Sequence, residues 1–418
     1  MWEAATEVGD VLEELVRKGA QEMLRRALED EVEGFLGRGR HERKRPFRGY
    51  RNGYAPERTV GSGLGTVAVR APRVREVPAE VSGEGYRSAI LPRYQRRSRA
   101  QARLFAQLYL EGLSSGDFEP VFRALLGEEA PLSKNTILRL KGTWKTEYEA
   151  WKQRSLGDHR YAYLWFDGIY VGCGQEREKT VLLAVLGARE DGSKELLALE
   201  EGYRESTESW ARVLRSLRDR GLEPALLGVG DGALGAWAAL DEVFPTTRHQ
   251  RCWNHRVLNV RDRLPKRLQA EVRNELRHLW EAPTRAQCEV RRDKYVAKLR
   301  SEKQEGAAAT VLRDWEDFVT FYDFPQEHWL HLRTTNAIES VFAGVRLRTD
   351  VAKRMGQREN AVYLVFKLIQ RLGQNWRALN GGRTLMTLVL KQGRFVDGVL
   401  EGGDTEPKPG VERQSAAA

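Results

Sequence analysis

Cysteine is scarce in this 418-residue chain, which has only Cys173, Cys252 and Cys288. Three scattered thiols do not make the disulfide framework of a secreted module, and they fit a reducing cytoplasm. Long apolar runs are also lacking: no uncharged stretch reaches the roughly 18 residues that a membrane span needs. The opening MWEAATEVGDVLEELVRK carries early acids in place of an apolar signal core, so export is not expected. No G-x-G-x-x-G follows a strand in the required setting, and G-x-x-x-x-G-K-[ST] does not occur, which disfavours nicotinamide and P-loop chemistry. No internal repeat stands out.

Positive charge is plentiful. Sixty-nine Lys and Arg against 59 Asp and Glu give a formal net charge of +10. A basic surface gains affinity for a polyanion by displacing counterions from its phosphates. At 41% hydrophobic and 31% charged residues the composition is globular. The length suggests roughly two to four domains.

Residues 8 to 36 have the spacing of an amphipathic helix, with Val11, Leu12, Leu15, Met23, Leu24 and Leu28 on one stripe. GRGRHERKRPFRGYRNGYAPER follows, rich in Arg and Lys, with Gly, Pro and Tyr interleaved. This reads as an irregular arm that tracks a phosphate backbone, with Arg43, Lys44, Arg45, Arg48 and Arg51 as candidate contacts. GTVAVRAPRVRE is a short β element. Residues 98 to 144 show three helical segments, ending near Gly112, ending at Gly127, and starting after Ser133. That is the layout of a helix-turn-helix, whose last helix would present Lys134, Asn135, Thr136 and Arg139 to DNA. An ordinary three-helix bundle has the same pattern.

From residue 161 the pattern becomes α/β: YAYLWFDG, KTVLLAVLGA and KELLALEEG are strands, ESTESWARVLRSLRDRG is a helix, PALLGVGDG is a strand, GALGAWAALDEV is a helix and TTRHQR is a short strand. Three strands followed by alternating helices and strands suggest a mixed sheet. Residues 262 to 330 look wholly helical, and helix returns in TTNAIESVFAGVRLR and ENAVYLVFKLIQRLGQNWRAL.

Within LWFDGIYVG, the apolar run meets a carboxylate at Asp167. Asp-Gly there is either a hairpin turn or a means of delivering charge to a sheet edge. Asp231 repeats the motif in LLGVGDGALG, and an N-cap explains it equally well. Glu339, three residues after Asn336 in RTTNAIES, fits a capping box. Together the three acids carry more. Two stand at the ends of neighbouring strands, and Glu339 flanks the apolar stripe Ile338, Val341, Phe342 and Val345 of a helix. Acids gathered there need cations between them, and hard oxygen ligands suit Mg²⁺, with Mn²⁺ able to substitute. A two-metal site of this kind serves in-line phosphoryl transfer. Cys252 and His255 form C-x-x-H without a second pair at zinc spacing, since His278 and Cys288 do not supply one, so no zinc is expected. A role beside the acids or on DNA is open to them, as is simple packing. Arg333, Arg346 and Arg348 are candidate phosphate contacts.

The stretches FRGYRNGY, ILPRYQRRS, LYLEGLSS, FDGIYV, VGDGALG, QRCWNH and LRTTNAIES, in that order, resemble the bacterial Mutator-type transposases. The resemblance implies a DDE enzyme on a ribonuclease H-like mixed sheet, with Asp167, Asp231 and Glu339 as catalytic acids and metal ligands. It also implies an all-helical insertion between Asp231 and Glu339, and it matches Cys252 and His255 to the family's C-x-x-H signature. The expected organisation is an N-terminal helix available for oligomerisation (1–36), a basic arm with a β element (37–97) and a helix-turn-helix-like DNA-binding region (98–150). The catalytic core follows in two parts (151–262 and 331–400) around the insertion (263–330), with a disordered tail (401–418). The implied substrates are double-stranded terminal inverted repeats and target DNA, cut and then joined by a homodimer or higher homo-oligomer in the cytoplasm, at the nucleoid. A nuclease without strand transfer and a catalytically dead DNA-binding repressor are the alternatives.

Overall fold

The computed structural model describes residues 3–62, 65–113, 120–121, 135–172, 179–202, 206–232, 234–351 and 358–402. The chain forms two units, Met1–Thr143 and Trp144–Ala418.

In the first unit, helix α1 (Glu3–Leu36) precedes four short strands, β1 (Tyr50–Tyr54), β2 (Arg58–Ser62), β3 (Gly65–Val69) and β4 (Pro72–Arg75). Leu28, at the helical spacing the sequence predicts, packs with Val60, Val67, Val69 and Leu91 in a small core. β2 pairs with β3 and β1 with β4, all antiparallel. The arm is therefore ordered into a strand over its second half. Helix α2 (Arg99–Glu111) starts at Ser98, whose side chain accepts from the Gln101 N–H. It ends at Gly112, whose φ of 124° is open to glycine. The expected second helix of the helix-turn-helix, from Ser114 or Ser115 to Gly127, lies outside the described residues apart from Pro120 and Val121. The third is α3 (Asn135–Lys152), which runs on into the second unit.

The second unit is organised around β5 (Tyr161–Gly172), β6 (Lys179–Arg189), β7 (Lys194–Gly202), β8 (Leu227–Gly230) and β9 (Arg248–Arg251), in the spatial order β7-β6-β5-β8-β9. The β7-β6-β5 pairs are antiparallel, and the β5-β8-β9 pairs are parallel. Parallel neighbours need crossovers, supplied by α4 (Thr207–Asp219) and α5 (Leu234–Val243). The Asp-Gly pair at 167–168 makes no turn. β5 stays paired with β6 through Asp167↔Ala184 and on to Gly172↔Lys179. The β-favouring Ile169-Tyr170-Val171 has an apolar partner strand to extend along, which outweighs the local turn preference.

Alternation along β5 separates two environments. Leu164 and Phe166 share a core with Leu183 and Val185 of β6 and with Trp210, Leu214 and Leu240 of the crossover helices. Each such apolar side chain contributes about 1.5–3 kcal/mol on burial. Tyr163 and Trp165 point the other way. The Tyr163 hydroxyl bonds His328 Nδ1 at 2.8 Å, and Trp165 Nε1 donates to the His331 carbonyl at 3.0 Å. Burial pulls His328 down to about 4, so the ring is neutral, and its Nε2 meets the Asn380 carbonyl.

Helices α6 (Trp253–Arg261), α7 (Val272–Trp280), α8 (Arg285–Ser301), α9 (Glu305–Leu312), α10 (Glu316–Val319) and α11 (Trp329–Leu332) follow β9. They cover its edge: Gln250 bonds the Phe318 carbonyl and the Phe321 N–H, and Arg251 pairs with Asp314. Helices α12 (Asn336–Val351) and α13 (Arg358–Leu372) come next, and α12 packs on β5. The last helical pattern runs shorter than its sequence suggests, breaking at Gly373 into a 3₁₀ turn. Helix α14 (Gly382–Leu390) and the hairpin β10 (Phe395–Val396) and β11 (Val399–Leu400) complete the unit. The expected tail lies outside the described residues beyond 402. Among the described residues, no helix is long and apolar enough to cross a membrane.

Gly228 sits where β8 passes between these layers. A Cβ there would lie 2.8 Å from the Phe166 ring and 2.9 Å from a Leu240 methyl. Gly228→Ala is expected to destabilise the fold by about 1–3 kcal/mol, read by denaturant unfolding; an unchanged midpoint would contradict this packing.

Candidate active site

The register of β5 and β8 places two acids side by side. Their last parallel pair is Trp165↔Val229, and Asp167 and Asp231 each follow two residues later. Asp167 falls on the Trp165 face of the sheet, the face opposite the crossover helices. Its carboxylate accepts the Gly168 N–H at 2.8 Å. Asp231 leaves β8 after Gly230, and its carbonyl accepts from Trp237 Nε1 at 2.8 Å. The Trp237 ring lies 3.0 Å from where a Gly230 Cβ would stand, so the chain reaches Asp231 by passing close under an indole.

Glu339 comes from the first turn of α12. The Asn336 capping box expected from the sequence is replaced by another arrangement. The Thr335 carbonyl accepts the N–H groups of Ile338 and Glu339, so Thr335 is the residue that starts the helix. Its hydroxyl lies 2.5 Å from Glu339 Oε1. Asn336 instead accepts from the Asn254 side chain at 2.8 Å. Ile338, Val341, Phe342 and Val345 are buried, as the stripe predicts, leaving Glu339 half-buried at its flank.

Cys252 joins these parts. Its N–H donates to the Gly230 carbonyl at 2.7 Å, next to Asp231, while its buried Sγ lies 3.3 Å from the Thr335 N and 3.2 Å from Thr335 Oγ1. The following Trp253 N–H reaches the Arg333 carbonyl at 2.9 Å. Two residues thus tie the end of β8 to the start of α12. His255, one turn on, has Nδ1 3.7 Å from Glu339 Oε1. The possible ligand atoms of Cys252, His255 and Glu339 all lie within 4.8 Å of one another.

The electrostatics follow from crowding. Burial, reinforced by the negative charges of Glu339 and Asp231, pushes the Asp167 carboxyl up to about 7, against the opposing Gly168 N–H and His255. His255 is raised to about 9 by the Cys252 sulfur and by the charges of Asp231 and Glu339. Asp167, whose carboxyl is raised mainly by burial, Asp231 and Glu339 offer hard carboxylate oxygens, the donor type that suits a divalent cation such as Mg²⁺.

The remaining expected site residues divide. Arg43, Lys44, Arg45, Arg48, Arg139 and Arg346 are exposed. Arg51, in contrast to the exposed cations, has its guanidinium paired with Glu29 and Glu33 of α1. The Arg333 guanidinium lies 4.7 Å from the Phe321 ring centre and 5.1 Å from that of Trp329, packed against aromatics. Arg348 is 7% exposed, too buried for an open phosphate contact. Lys134 lies outside the described residues, and Asn135 and Thr136 open α3. Thr335 was not singled out from the sequence, although its position four residues before Glu339 puts both on one helical face.

One acid inside the central strand β5, not at its end as the sequence suggests, and one just past the end of the neighbouring β8, with a third on a helix nearby, define an α/β protein with a carboxylate-lined site. The chain belongs to the Mutator family of transposases, whose description matches residues 2–378. It is 42% identical over 302 residues to the transposase for insertion sequence element IS6120 of Mycolicibacterium smegmatis, covering 72% of this chain and 93% of that protein. Identity is 40% over 284 residues with the transposase for IST2 of Acidithiobacillus ferrooxidans (66% and 93% covered). With that for ISRM5 of Rhizobium meliloti it is 30% over 374 residues (89% and 90%).

The raised Asp167 carboxyl has a consequence for stability. Between 3.8 and about 7 the folded protein keeps a proton that the unfolded chain releases, so stability falls as pH rises through that window. In metal-free protein, Asp167→Asn removes this loss. Its Tm should exceed the parent's clearly at about pH 8 and much less at about pH 4.5. The same difference at both pH values would contradict the crowded site.

Proposed function

We propose that this chain is an insertion-sequence transposase in which Asp167, Asp231 and Glu339 form the site of DNA strand cleavage and strand transfer. The observation that carries the reading is the matched height of Asp167 and Asp231 on adjacent strands, with the Glu339 charge felt at Asp167. The strand order, with three antiparallel strands leading into two parallel ones, supports a ribonuclease H-like core. In this reading residues 263–330 are its helical insertion, and the first unit carries the DNA-binding region.

The three carboxylates would hold Mg²⁺, or Mn²⁺ in its place. A divalent cation there supplies Lewis acidity toward the phosphodiester and a template for the attacking and leaving oxygens. The chain's own residues set up the rest. Thr335 fixes one Glu339 oxygen by donating its hydroxyl proton. Cys252 holds the helix bearing Glu339 against the strand end bearing Asp231. His255 in its protonated form offsets part of the negative charge. Cleavage at the element end frees a 3′-hydroxyl, and the same carboxylates then serve its attack on target DNA. Exposed Arg43, Lys44, Arg45 and Arg48 are contacts for the terminal inverted repeats, and joining two ends in one event calls for a dimer or higher oligomer acting at the nucleoid.

Asp167→Asn should lower Mg²⁺-dependent cleavage of a terminal-repeat duplex by more than about a hundredfold while leaving repeat binding within about twofold. Cleavage at the parent rate would overturn the assignment. Supplying pre-cut ends with target DNA separates a transposase from a nuclease, since only the former yields joined product.

A further inference from the structure

A cavity of about 480 Å³ opens beside Gly232, the residue after Asp231. Its walls carry four guanidinium-bearing residues, Arg251, Arg256, Arg263 and Arg313, against a single acid, Asp262. Two of the four are structural. Arg251 pairs with Asp314, and Arg256 donates to the Thr310 and Arg313 carbonyls under the Phe318 ring. Burial, together with the neighbouring Arg251 and Arg313 charges, pulls Arg256 down to about 10, and its Nε is buried without a hydrogen-bond partner. The other two, Arg263 and Arg313, are exposed, and neither side chain makes an ion pair among the described residues.

Asp314 and Asp317 offset Arg251, so the pocket's uncompensated positive charge rests on Arg256, Arg263 and Arg313 against Asp262. Structural arginines normally end with their donors satisfied, whereas here a buried Nε–H is left over and two further cations face the opening. Arg263 and Arg313 come from opposite sides of the helical segment, one just after α6 and one just after α9, so the fold brings them together across 50 residues. These cations suit an anion, and Gly232 in the lining puts the cavity next to Asp231. A nucleic-acid backbone meets this description, because its phosphates recur along a strand at spacings that let one sit at the carboxylates and another in the pocket.

We propose that this cavity is a phosphate-binding subsite that holds the DNA strand on the Asp231 side of the site of cleavage. It rests on the transposase reading and adds to it a fixed path for the strand, through residues of the helical segment, with Arg263 and Arg313 as the phosphate contacts.

The test measures binding of the full chain to a pre-cut duplex end in EDTA, by fluorescence anisotropy across a range of salt concentrations. Arg263→Gln/Arg313→Gln should reduce the slope of log K against log salt by about 1–2, as expected for losing one or two phosphate contacts. Arg218→Gln/Lys391→Gln removes the same formal charge elsewhere on the unit and should keep the parent slope. Both residues of the first pair are exposed, so circular dichroism and Tm should match the parent. Parent binding with an unchanged slope in the Arg263/Arg313 variant, or an equal loss in both variants, overturns the subsite and leaves the transposase reading standing. No DNA binding by the parent overturns both.

Discussion

Asp167, Asp231 and Glu339 stand close enough for the last two to act on the charge of the first, and bonds near each acid hold it in place. Burial, with the Glu339 and Asp231 charges added to it, raises the Asp167 carboxyl to about 7. The sheet and the helix that carry the acids are braced separately. Trp165 and Tyr163, on the Asp167 face, are anchored to the carbonyl of His331 and the ring of His328. Trp237 fixes the backbone at Asp231. Repulsion that could open the site is thus opposed by bonds close to each of the two strand acids. In the functional reading, a divalent cation turns that repulsion into attraction.

Cys252 and Thr335 make the second connection. A strand end and a helix start that are about 80 residues apart in sequence meet through one sulfur, one hydroxyl and one backbone N–H. Hydrogen bonds to a thiol are individually weak, but here they are buried, and a buried donor left without a partner costs about 1–3 kcal/mol. The same two residues therefore serve stability and the orientation of Glu339. In the C-x-x-H pattern, on this reading, the cysteine positions and the histidine balances charge.

The amino-acid order shows much of this architecture. The apolar runs of β5, β6 and β7, the alternation to helices, and the Asp-Gly ending of β8 at 231 are all visible as patterns. So is the stripe that buries Ile338 and Phe342 and leaves Glu339 at its edge. What escapes is set by partners distant in the chain. Asp167-Gly168 has the local signature of a turn, yet the pairing with β6 carries the strand onward. Asn336 looks like a helix cap, but Asn254 holds its side chain and Thr335 starts the helix. Arg51, Arg333 and Arg348 read as free charge in a basic chain. Carboxylates of α1 occupy the first, aromatic rings cover the second, and burial removes the third from the surface. The Arg263 and Arg313 cavity depends on helices folding back together, which no local pattern encodes.

In the proposed function the three acids share divalent cations. Crystals of the full chain soaked in Mn²⁺ and measured at the manganese absorption edge address this directly. The expected result is anomalous density in contact with carboxylate oxygens of Asp167, Asp231 and Glu339. Density confined to Cys252 and His255, or none at the acids at saturating Mn²⁺, would contradict it.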